Sequence, residues 1–184
     1  TMEGSEDYSR ENIKQRSIEI KKVSEAYGFE TLHQTNFTTT KLDTVPLKQL
    51  VSTVSNHFSK IKPEIIYSPF RGDIHSDHRI VADTVAASSK SFRHPYIRTI
   101  RCYETLSETE FSIDPYTNHF IPNLWIDISD YIETKLNIMK IYKGEMDKPP
   151  FPRSRENLRS LSRYRGSTVH CNYAEAFMIL KELM

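Results

Sequence analysis

Two histidines flank an aspartate in His75-Ser76-Asp77-His78, and a further carboxylate, Asp73, stands two residues before them. Imidazole is the commonest protein ligand for zinc, and a histidine whose tautomer is fixed by a carboxylate can instead act as an acid or an oxyanion stabiliser. Four consecutive residues therefore supply both roles. Taken as an isolated motif, the same residues also read as a surface histidine and a histidine at a helix start.

The elements that must position these groups are legible on either side. The apolar run Ile65-Ile66-Tyr67 precedes the motif, and Ile80-Val81-Ala82 and Val85-Ala86-Ala87 follow it, so the segment reads as a strand end, a loop and a helix start. Side chains converge at the carboxyl ends of strands in α/β proteins, and the helix N-terminus that follows favours negative charge. With Ser76 or Asp77 as N-cap, His78 falls in the first turn, on the stripe His78, Val81, Ala82, Val85 that faces the sheet.

The rest of the chain alternates helix and strand signals. Residues 9–28 read as a helix with Ser9 as N-cap and Gly28 as C-terminal stop, and Arg16 falls in the middle of its apolar face of Ile13, Ile20, Val23 and Tyr27. A guanidinium there needs a partner or a ligand: an ion pair with Glu19 or Asp73 and a functional role carry equal weight. Thr31 to Phe37 reads as a strand. Thr44-Val-Pro46 starts a helix whose Leu47, Leu50, Val51, Val54 and Phe58 form a core stripe. Tyr96 to Glu104 reads as a strand, with Thr109 to Ile113 as a further candidate. Leu124-Trp-Ile126 is a short strand ending at Asp127, which would cap a helix from Ile128 to Tyr142. After the break Lys148-Pro-Pro-Phe-Pro152, a helix from Ser154 to Tyr164 gathers Arg153, Arg155, Arg159, Arg163 and Arg165. That cluster reads either as a solvated basic face or as a grip on a phosphate or diphosphate. The alternation predicts an α/β layered fold with a mostly parallel sheet, in one domain spanning residues 1–184.

Composition narrows the function classes. The chain carries 25 basic and 24 acidic residues, a net charge of +1, so no global field points to nucleic acid or an acidic membrane. Two cysteines without a C-x-x-C spacing, Cys102 and Cys171, indicate neither a disulfide framework nor a cysteine zinc site. No apolar run is long enough for stable membrane insertion, and a reducing cytoplasm is the default compartment. A homo-oligomer is compatible with the pattern and not required by it.

Several segments, in order and at matching spacing, resemble the PIG-L/LmbE family of zinc-dependent N-deacetylases. Arg16-x-x-Glu19 with Gly28 resembles the family's first complete helix, and Lys62-Pro63-Glu64-Ile65-Ile66-Tyr67 the strand before its second motif. Asp73-Ile-His75-Ser-Asp77-His78 resembles that motif itself. Pro122-Asn123 through Asp127-Ile128-Ser129 resembles a strand-to-helix passage, and Arg165-Gly166 with Tyr173-Ala-Glu175-Ala-Phe177 the C-terminal signature. The family also opens with a strand ending in His-Pro-Asp-Asp-Glu, which supplies two zinc ligands and the general base. Nothing here matches it, and the start at Thr1-Met-Glu-Gly4 resembles the family's segment after its second strand. The expectation is that a preceding piece is absent from this chain, with loss of the motif in an inactive relative as the alternative. Threonines near position 39 stand where family members often carry an aspartate.

The resemblance implies a Rossmann-like three-layer α/β/α fold lacking its first strand and helix, and zinc-dependent hydrolysis of the acetamide of an N-acetylglucosamine-type conjugate. It implies that His78 is a zinc ligand and that His75, oriented by Asp77, stabilises the oxyanion or protonates the leaving amine. Asp73 and Arg16 would shape the substrate pocket. Glu175 stands near the site by family pattern alone, and an ion pair explains it equally well. A non-catalytic carbohydrate-binding or assembly protein that kept the fold without a complete metal site is the alternative from a different class.

Overall fold

The computed structural model describes residues 9–112 and 119–184. Contacts divide the chain into two compact units, one of Thr1–Lys41 with Ile126–Glu175 and the other of Leu42–Trp125 with Ala176–Met184.

The second unit holds the strand-loop-helix passage. Strand β1 is Ile65–Pro69, with Ile66 and Ser68 buried and Ile65 and Tyr67 exposed, the alternation of a half-buried strand. It pairs in parallel with β2, Thr99–Tyr103, in the register Ile65↔Thr99 to Pro69↔Tyr103. A parallel pair needs a crossover, and α3, Ser76–Ser88, lies in that connection, completing a β-α-β unit. Helix α2, Leu47–Ile61, packs on α3, and α3 packs on β1. Between them lies a core of Ile66, Val85, Ile97 and Ile100, with Phe58, Val81 and Tyr96 packed against it. Ile97 is 0 % exposed. Burying such a side chain contributes roughly 1.5–3 kcal/mol, enough for these few residues to fix the loop between β1 and α3 at one end.

The four strands form a sheet in the order β1-β2-β4-β3, where β3 is Leu124–Asp127 and β4 is Ala174–Glu182. β4 runs antiparallel to β2, with a register shift between Ile100 and Arg101. The α/β class is as the alternation predicts, but the sheet is mixed, its parallel part being the β-α-β unit. Thr31–Phe37 forms no strand: its side chains are mostly exposed, so pairing there would bury little. Residues 109–112 form no strand, with a turn at Glu110 and Phe111; Ile113 lies outside the described residues.

In the other unit, α1 spans Arg10–Tyr27. Ser9 caps it by accepting from the Asn12 amide, and Gly28 stops it at φ +70°, where its own N–H reaches the Glu25 carbonyl and that of Phe29 the Ser24 carbonyl. Helix α4 is Ile132–Met139, shorter than expected at both ends; ahead of it the Asp127 carboxylate accepts from the Ser129 amide at 2.8 Å and hydroxyl at 2.5 Å in a local turn. Helix α5, Arg155–Ser167, is capped by the buried Ser154 and runs past the expected end at Tyr164. Leu136, 0 % exposed, and Ile132 anchor α4, which packs on both α1 and α5. No described helix is long and apolar enough to cross a membrane.

Candidate active site

The loop that leaves β1 is held before it reaches the histidines. The Asp73 amide donates to the Phe70 carbonyl at 3.2 Å, and the Ile74 amide donates to the Glu108 carbonyl at 3.2 Å. This ties the loop to the turn that follows β2 and presents the Asp73 carboxylate inward, where the residue is 1 % exposed. Both carboxylate oxygens are used: Oδ1 accepts from the Thr109 hydroxyl at 2.6 Å and Oδ2 lies 2.8 Å from His78 Nδ1. A buried carboxylate kept in this way has its lone pairs answered by neighbours instead of water. Its field reaches the ends of the strands, adding to the burial that pushes the Cys102 thiol up to about 11 and raises the Tyr103 phenol.

His78 sits in the first turn of α3 with its side chain 27 % exposed. Since the carboxylate engages Nδ1, the proton of the neutral ring is on Nδ1, and Nε2 keeps a free lone pair. Carboxylate, imidazole and open Nε2 is the arrangement seen around metal-bound histidines. His75 has the opposite polarity. It is the N-cap of α3, a position sequence reading assigned to Ser76 or Asp77, and its Nδ1 accepts from the Asp77 amide at 3.1 Å. A neutral His75 ring therefore carries its proton on Nε2 and can donate from there. The rings stack with centroids 4.8 Å apart and an 18° tilt, so an acceptor nitrogen and a donor N–H belong to adjacent parallel rings.

Asp77 orients His75 through its backbone. Its side chain is buried and accepts from the Leu42 amide at 3.3 Å, tying α3 to the 3₁₀ turn Leu42–Thr44. Asp73, His75, Asp77 and His78 are thus brought together. Thr109, which completes the Asp73 pairing, had no motif to mark it; a hydroxyl 36 residues away along the chain becomes visible only through the fold.

Arg16 belongs to the other unit. It pairs with Glu145 and, at 3.6 Å, with the buried Glu19, and its guanidinium lies 5.0 Å from the Tyr142 ring centroid. Glu19 also accepts from Gln15 at 3.0 Å and from the Lys143 amide at 3.3 Å. Glu175 forms an ion pair with Lys135 at 2.5 Å. Of the ion-pair partners weighed for Arg16, the structure supplies Glu19 and adds Glu145, which lies 129 residues away along the chain.

A catalytic zinc takes three protein ligands. His78 fits one of those places by its free Nε2, whereas the described residues contain no group of three side chains able to hold a metal.

Comparison with known proteins bears on both the sequence and the fold. The family described as GlcNAc-PI de-N-acetylase, PIG-L, matches residues 1–89. Among solved structures, a conserved protein from Thermus thermophilus superposes with a TM-score of 0.72 at 18 % identity, over 93 % of this chain and 75 % of its own. The N,N'-diacetylchitobiose deacetylase of Pyrococcus horikoshii gives 0.70 at 19 % identity, over 96 % and 67 %. The 4-carboxy-2-hydroxymuconate hydratase of Pseudomonas putida gives 0.68 at 11 % identity, over 98 % and 77 %. At these identities the likeness is one of fold, and a deacetylase and a hydratase sharing it shows that the fold does not dictate the reaction.

Proposed function

We propose, from the premise that residues 1–89 match the PIG-L family, that this protein is a zinc-dependent N-deacetylase that hydrolyses the acetamide of an N-acetylated sugar conjugate and releases acetate. The observation that carries this reading is the pair of oppositely polarised histidines: His78 with Nδ1 held by Asp73 and Nε2 open, beside His75 with Nδ1 occupied and Nε2–H available.

In this reading His78 contributes one zinc ligand through Nε2. Zinc bound there would supply a Lewis acid and lower the pKa of a coordinated water. The general base that takes the proton of the attacking water belongs, by the resemblance, to the His-Pro-Asp-Asp-Glu motif that this sequence does not match, and the residues present do the rest. His75 donates its Nε2–H to the oxygen that gains negative charge as the amide carbon becomes tetrahedral, an interaction stronger in the transition state than in the bound substrate. Asp77 keeps that donor in place by occupying Nδ1 from its backbone N–H. Asp73, too buried to touch a sugar, acts through His78 by fixing its tautomer and ring orientation. Its partner Thr109 prevents the carboxylate from turning away. Arg16 stays a substrate-binding candidate by the family pattern alone; its guanidinium is paired with Glu19 and Glu145 in its own unit.

The test, made on the complete polypeptide because these 184 residues alone should bind zinc poorly, is metal content measured beside acetate release from N-acetylglucosamine-containing conjugates. His78→Ala should lose zinc and activity together. His75→Ala should keep zinc while kcat falls by roughly 100-fold or more, the usual scale for one oxyanion donor. Zinc lost from His75→Ala but kept by an active His78→Ala would reverse the two roles. Protein that binds no zinc on reconstitution and releases no acetate would end the proposal.

A further inference from the structure

We propose that a hollow on α5, bounded by Arg159, Arg163 and Tyr173, is a binding site for a phosphate-type oxyanion. It lies wholly within the first compact unit, has a volume of about 420 Å³, and is lined by Arg159, Ser160, Arg163, Tyr164, Ser167 and Tyr173. The lining contains two guanidiniums and four hydroxyl-bearing side chains, and no carboxylate.

Two features distinguish this hollow from a merely solvated basic face. The first is how its charges are answered. Arg155, Arg159 and Arg163 recur every four residues on one stripe of α5, and Glu133 pairs with the first two. Among the described residues Arg163 forms no salt bridge; its contact is with Tyr173, its guanidinium 5.4 Å from the ring centroid. Arg159 lies 5.8 Å from the same ring. Both cations are thus steered to one aromatic ring, and the Arg159 guanidinium beside it, with that of Arg163, holds the Tyr173 phenol below its ordinary pKa.

The second feature is that Tyr173 is seated by backbone. Gly166 leaves α5 bare where the returning chain crosses it: a Cβ at that position would stand 2.7 Å from the Cys171 carbonyl oxygen and 2.9 Å from the Tyr173 nitrogen. The Cys171 amide donates to the Gly166 carbonyl at 3.1 Å, and the Tyr173 amide donates to Ser129 Oγ at 3.2 Å. The tyrosine is fixed from both sides, and the guanidiniums stacked on it lose little freedom when a ligand arrives. Planar guanidinium forks match the oxygens of a phosphate, and nearby hydroxyls can donate to those left over. Phosphate attached to a soluble conjugate and phosphate in a lipid headgroup share this chemistry.

The experiment uses the whole chain and two probes. Inorganic phosphate and pyrophosphate are titrated calorimetrically at constant ionic strength, and co-sedimentation is measured with phosphatidylcholine vesicles with and without phosphatidic acid. Saturable binding is expected, about tenfold weaker in Arg163→Gln, as for loss of a charge-assisted contact, and only partly restored in Arg163→Lys, which keeps the charge without the fork. Lys140→Gln, the same loss of charge at an exposed site at the end of another helix, should bind as wild type. Arg163-dependent binding of the free anions identifies a soluble ligand, and Arg163-dependent binding of phosphatidic acid vesicles alone identifies a headgroup. Failure of both probes to bind saturably, or equal effects of Arg163→Gln and Lys140→Gln, overturns the site. Thermal melts of the variants confirm that folding is intact.

Discussion

Two carboxylates, one in each compact unit, show how little the number of charged neighbours says about what a charge does. Glu133 on α4 accepts from Arg155 and Arg159, and its carboxyl is held below its ordinary pKa, chiefly by the Arg159 hydrogen bond. Asp73 faces a neutral hydroxyl and an imidazole. Yet the Glu133 side chain is 56 % exposed, so water and salt screen its ion pairs and can replace them. The Asp73 side chain is 0 % exposed and its partners are all it has. Burial, more than formal charge, decides which carboxylate is structurally indispensable.

The comparison can be broken most directly at Asp73. Asp73→Ala leaves the Thr109 hydroxyl and His78 Nδ1–H without their acceptor, and we expect a loss of about 2–4 kcal/mol in chemical denaturation; on the proposed function, zinc affinity of the complete polypeptide should fall too as His78 loses its fixed tautomer. Asp73→Asn, which keeps the shape, should fall between wild type and alanine. A smaller step is Thr109→Val, which leaves Asp73 Oδ1 unanswered while His78 keeps its partner; about 1–2 kcal/mol of stability should go with zinc binding nearly intact. The smallest effect belongs to Glu133→Gln, despite its two arginines: the thermal midpoint at neutral pH should scarcely move. A depressed folded-state pKa contributes stability that is present above the unfolded value and lost as pH falls through the folded one. Wild type and Glu133→Gln should therefore converge on acidification below the ordinary glutamate range. A Glu133→Gln loss as large as that of Asp73→Ala would refute the argument from burial.

Where local chemistry determined the structure, sequence reading located it. Ser9 and Gly28 bound α1 because a hydroxyl and a missing Cβ act within one turn, and Ser154 opens α5 in the same way. The passage from Ile65 through His78 was legible because a buried strand, a polar loop and an amphipathic helix each leave their own periodicity. Distant partners were not. Strand β4, Ala-Glu-Ala-Phe-Met-Ile-Leu-Lys-Glu, is rich in helix formers and becomes a strand through pairing with β2. The Glu145 partner of Arg16 and the Thr109 partner of Asp73 are contacts across long stretches of chain, and no spacing rule reaches them. Within the motif, the carboxylate of Asp77 looked like the natural anchor for His75, yet its backbone N–H makes that bond. A backbone donor has no residue type to announce it.

That bond gives the first turn of α3 a second meaning. The Asp77 amide can be protected from solvent exchange only while His75 Nδ1 is unprotonated and aimed at it, so one exchangeable hydrogen reports the winding of a helix end and the tautomer of a ring together. Asparagine at position 75 could wind the same turn with its side-chain oxygen and have no ring to report. The beginning of the helix and the readiness of the imidazole form one cooperative event, and the exchange rate of a single backbone hydrogen would time it.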